Sequence, residues 1–77
     1  MPRYFFHLRH LNESSDSDGI DLPDFEAAWA EAVRTCGEML RDFEGSLAPD
    51  RPFELLVSDG DGAVLARLRI SVDFFDP

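Results

Sequence analysis

The chain has 77 residues, 44% of them hydrophobic and 12% aromatic, and its seven basic residues (all arginine) face sixteen carboxylates for a net charge of -9. So apolar a composition excludes a disordered chain, while so short a chain builds one compact core and no second domain. The net acidity argues against binding nucleic acid or an anionic membrane through overall charge, and the single Cys36 excludes an internal disulfide.

The opening stretch MPRYFFHLRH carries two arginines and two histidines, which interrupt any apolar signal region. The apolar runs also fall far short of the ~20 residues a membrane helix needs, so the expected location is the cytoplasm. Residues 3–11 alternate as a strand does, with Tyr4, Phe6 and Leu8 on one side and Arg3, Phe5, His7 and Arg9 on the other. NESSDSDG, residues 12–19, reads as a polar loop whose acids are exposed and mobile, and the short IDL, residues 20–22, reads as a strand pairing back.

A helix follows, with Asp24 as the expected N-cap and Glu26 in the first turn. Apolar residues at 25, 29, 32, 33, 36, 39, 40 and 43 mark one face, on which Trp29 is expected to pack against Phe6 or Leu68. On the opposite face Glu31–Arg34 and Glu38–Arg41 are spaced as surface pairs. Gly45 supplies a left-handed residue to end the helix, and APDRP, residues 48–52, prevents its continuation. FELLVSD (53–59) and AVLARLRISV (63–72), joined by a Gly-Asp-Gly turn, form a hairpin. The predicted fold is one α+β domain over residues 1–77, strand-strand-helix-strand-strand, with the helix on one sheet face. The favoured strand order is 2-1-4-3, which sets the first and last strands side by side. An all-antiparallel sheet of the same elements is the alternative.

PRYFFH at the start, GIDLPDFEAA entering the helix and FELLVSDGDGAVL in the last hairpin resemble a family of short proteins found mainly in alphaproteobacteria, a domain of unknown function. The resemblance covers nearly the whole chain. It implies a small cytoplasmic α+β domain and no catalytic residue. Trp29 departs from the small or charged residue expected at that family position.

The residues themselves give little support to catalysis or to a bound cofactor. DSDG and DGDG look like calcium loops, but aligning Gly19 or Gly62 with the loop glycine places Phe25 or Leu68 where the bidentate acid belongs. His7 and His10 have opposite parity on one strand and cannot readily share a metal. Cys36 lies on the apolar helix face as a buried small hydrophobe. His7 could reach Ser58 or Ser71 only across neighbouring strands, and no glycine-rich phosphate loop precedes the helix. No metal and no cofactor are expected.

Parity gathers Arg3, Phe5, His7, Arg9, Leu56, Leu65, Arg67 and Arg69, with Glu54 and Ser58, on the sheet face turned from the helix. Four of the seven arginines thus collect on one surface of an acidic chain. A solvated face, with arginine stems lying over Phe5, Leu56 and Leu65, explains this blandly. A contact surface for a protein partner or for a second copy of the chain explains it more specifically, since interfaces favour arginine and aromatic anchors. Single-stranded nucleic acid, stacking on Phe5, Phe53 or Phe75, is the alternative, and a small enzyme is the third reading.

Overall fold

The computed structural model describes residues 2–10, 13–43 and 47–76. It contains strands β1 (Arg3–Arg9), β2 (Glu13–Ser14) and β3 (Ile20–Asp21), helix α1 (Phe25–Phe43), and strands β4 (Phe53–Ser58) and β5 (Val64–Ile70). The fold is α+β as predicted, with one helix across one face of an open sheet. The sheet runs β2-β1-β4-β5, with β3 also on β1, and every pairing is antiparallel.

That order corrects the favoured one. The strand beside β1 is β4, and β5 takes the edge. The physical reason lies in the side chains: Phe53, Leu55 and Val57 of β4 are fully buried, which demands a neighbour on each side. β5 carries Arg67 and Arg69, and an edge strand leaves their guanidiniums in water.

Asp24 caps α1 as expected, its carboxylate accepting the Ala27 N–H at 2.9 Å. The buried side of α1 is Ala28, Ala32 and Cys36, flanked by Met39 and Phe43. Small residues there let the helix sit close to the sheet, where Tyr4, Phe53, Leu55 and Val57 fill the core. The bulky Trp29 does not fit beneath so close a helix. It stands on the flank at 37% exposed, outside the buried core, with Phe25, Val33 and Leu40 exposed as well. Arg34 pairs with both Glu31 and Glu38, in place of the Glu38–Arg41 pair. Gly45, expected to end the helix, lies outside the described residues, as does Leu11 at the end of the predicted first strand.

Residues 13–19 are more structured than the sequence suggests. Glu13 and Ser14 pair with β1, and β3 pairs with β1 further along, so residues 15–19 bulge out between two short ladders. Asp16 fills the gap. Its carboxylate accepts the Phe6 N–H of β1 at 3.2 Å, and the N–H groups of Asp18 (3.0 Å) and Gly19 (3.2 Å) close the turn.

Candidate functional site

The face away from α1 is assembled by the β1–β4–β5 register. Arg9 stands opposite Glu54, which stands opposite Arg69; His7 stands opposite Leu56, which stands opposite Arg67. Period-two alternation then points all six away from the helix. A bulge breaks the register near Ser58: Val57 pairs with Ala66, but Ser58 pairs with Val64, leaving Leu65 between them. Val64, which strict alternation with Ala66 and Leu68 would put on the helix side, therefore joins Leu65 on the open face. No regular alternation could have placed it there.

Arg9, Leu56, Val64, Leu65, Ala66 and Arg67 line a shallow hollow of about 440 Å³. A second hollow of about 240 Å³ adjoins it, bordered by His7, Leu8, Arg9, Ser14, Ser15, Leu56 and Val64. The floor is apolar and guanidiniums stand at the rim. The arginines do not simply repel one another, as their clustering in sequence suggests. Glu54, its side chain only 15% exposed, accepts from Arg69 Nε at 2.8 Å, with Arg9 and Arg67 each 3.8 Å away. Three guanidiniums thus surround one carboxylate, and the cluster keeps a positive surplus.

Arg3 and Phe5 belong to another neighbourhood. Arg3 forms a two-bond fork with Asp21 at 3.0 and 3.2 Å and donates to the Asp18 carbonyl at 2.8 Å. The hydrogen bond and charge of Asp21 hold the Arg3 proton more tightly than usual, and the same bond keeps the Asp21 carboxyl below its ordinary value. Phe5 is half-buried, and Gly19, at φ +71°, passes so close that a Cβ there would sit 2.9 Å from its ring and 2.7 Å from Arg3 Cγ. Glycine is required at that crossing. Phe5 is therefore no open stacking platform, and Phe53 is fully buried.

His7 and Ser58 do meet, His7 Nε2 lying 2.9 Å from Ser58 Oγ. The Asp16 N–H donates to His7 Nδ1 at 3.1 Å, so the neutral ring carries its proton on Nε2 and donates it to the serine. An activated serine needs the reverse: a ring nitrogen that accepts the hydroxyl proton, with a carboxylate behind the ring. Here a backbone N–H occupies that rear position. The pair is a structural clasp joining β1, β4 and the 15–19 bulge.

Partial burial opposes ionisation of Asp16, but the three backbone N–H donors outweigh it and hold the carboxyl below its ordinary value, with His7 nearby adding to the effect. Cys36 is buried, as predicted, and burial pushes its thiol pKa up, away from reactivity. His10 stacks on Phe43 at 5.1 Å between ring centroids, on the core side of the sheet opposite to His7. Among the described residues no cluster of His, Cys, Asp and Glu could hold a metal ion, and no helix is long and apolar enough to cross a membrane. Asp59 is used within its own turn, its carboxylate accepting the N–H groups of Asp61 (2.9 Å) and Ala63 (3.0 Å).

These features define a small α+β domain with a helix on one sheet face and an arginine-rimmed hollow on the other. The chain belongs to a family known as a domain of unknown function (DUF6894), whose model matches residues 3–71. No curated protein and no solved structure matches it.

Proposed function

We propose that this domain is a non-enzymatic protein-interaction module that works through its open sheet face. One observation carries the reading: a chain of net charge -9 keeps an apolar hollow of Leu56, Val64 and Leu65 between Arg9 and Arg67. Such a surface suits a protein segment with an aromatic or aliphatic anchor beside carboxylates, the anchor filling the hollow and the acids meeting the rim. The module is proposed to act in the cytoplasm, where the thiol of Cys36 stays reduced.

Single-stranded nucleic acid is the weaker reading. Stacking bases need exposed aromatic faces on the basic surface, where Phe5 is half-buried and Phe53 fully buried, while the exposed Phe75 lies beyond the strands between acidic residues. The test is selection from a random peptide library on the wild type and on the Arg67→Ser/Arg69→Ser variant. Acidic sequences containing an aromatic residue should enrich on the wild type and be lost on the variant. Absence of enrichment, or the same sequences on both proteins, would defeat the reading. Oligonucleotide binding that falls steeply with salt would replace it with the nucleic-acid alternative.

A further inference from the structure

The segment after β5, residues 71–76, forms no strand, yet it presents Phe74 and Phe75 at 74% and 87% exposure between Asp73 and Asp76. The molecule measures 50 Å along its longest axis. The helix accounts for about 29 Å and β5 for about 23 Å. β5 itself is an edge strand with no second neighbour among the described residues. Its core-side residues Ala66 and Leu68 are only half-buried.

We propose that residues 71–76 add as an antiparallel strand to the β5 edge of a second copy, and that the two copies exchange these segments reciprocally about a two-fold axis at Ile70. The alternation of the segment fits this register. With Ile70 opposite its own counterpart, Asp73 falls opposite Arg67 of the second copy and Phe75 opposite Leu65, both on the open face. Val72 then falls opposite Leu68, and Phe74 opposite Ala66, both on the core side. Each aromatic meets an apolar neighbour and the central acid meets a guanidinium.

Registers centred further into β5 fare worse. Centring the pair on Arg67 or Arg69 sets each of those arginines against itself, and centring it on Leu68 sets Arg67 against Arg69. Folding the segment back on its own β5 with the same partners would require residues 69–71 as the loop. That would strip Arg69 and Ile70 from their pairing with Glu54 and Phe53, in a stretch with no glycine to turn it. The exchange is isologous and closed, so it leaves no free β5 edge for further growth. The axis is perpendicular to the sheet, which puts both arginine-rimmed faces on the same side of the dimer. The inference concerns the sheet edge, but two of its contacts, Arg67 and Leu65, also line the open-face hollow.

The test is sedimentation equilibrium of the full chain over a wide concentration range. A monomer–dimer equilibrium is expected, with Phe74→Ser/Phe75→Ser weakening dimerisation by roughly tenfold or more. These side chains are exposed in the single copy, so the variant's monomer should keep its far-ultraviolet circular dichroism. Asp73→Arg and Arg67→Asp should each weaken the dimer, and the two together should restore it, because only this register sets those positions face to face. A chain that stays monomeric at millimolar concentration overturns the proposal. So does a dimer indifferent to Phe74, Phe75 and Asp73, and a dimer of that kind lost in Arg67→Ser/Arg69→Ser would instead assign self-association to the open face.

Discussion

Asp16→Ala probes how a loop with no regular structure of its own is fixed to the sheet. The substitution removes the acceptor for three backbone N–H groups: those of Asp18 and Gly19 within the turn, and that of Phe6 in the gap between β2 and β3. A hydrogen bond to a charged group contributes about 1.5–3 kcal/mol, and less where water competes for the donor, as at the two turn positions. The loss should therefore total about 2 kcal/mol, a large fraction of the roughly 4–12 kcal/mol such a chain possesses. For a domain of this size that lowers Tm by about 8–16 °C. The pH dependence has a defined sign. The folded-state pKa is depressed from its ordinary 3.8, so the contribution is complete above 3.8 and disappears as pH falls through the lower folded value. Thermal melts from neutral pH into the acid range should show a constant gap between wild type and Asp16→Ala that narrows only below 3.8. Asp16→Asn, which keeps an acceptor but not the charge, should melt between the two. A variant as stable as the wild type at neutral pH, or a gap unchanged into strong acid, would refute the reasoning.

Trp29→Ala should cost only about 1 kcal/mol because the indole stands on the flank, whereas Phe53→Ala, fully buried against Phe43 and His10, should cost about 3–5 kcal/mol; denaturant unfolding of both variants checks the order. Gly19→Ala should destabilise by about 1–3 kcal/mol and shift the Phe5 ring resonances, since both the positive φ and the missing Cβ are needed at the crossing over Arg3; unchanged Phe5 shifts would count against it. Nitrogen-15 shifts of the neutral His7 ring should show the proton on Nε2, and a proton on Nδ1 would contradict the clasp to Asp16 and Ser58. Arg67→Ser/Arg69→Ser should lose roughly 1 kcal/mol and gain none, because Glu54 loses two of its three cationic neighbours; a more stable variant would mean that repulsion dominates the face.

The sequence by itself determined the elements that local physics controls. Alternation in 3–9 and 64–70 assigned Arg3, Phe5, His7, Arg9, Arg67 and Arg69 to one side of their strands, because strand parity is a property of the backbone alone. The Asp24 cap and the apolar stripe likewise announced α1, and Asp-Gly announced the last hairpin. Three features had to wait for the tertiary structure. The sheet order depended on which strand most needed two neighbours, and β4 took the centre because its inward residues tolerate no exposure. The rotation of α1 depended on which helix face could approach the sheet most closely, so Ala28, Ala32 and Cys36 went under and Trp29 went to the flank. The composition of the hollow depended on the bulge at Ser58, which carried Val64 across, and on Glu54 arriving among three arginines from a neighbouring strand. Each of these is a choice between surfaces brought together from distant parts of the chain, and periodicity along one segment carries no information about its neighbour.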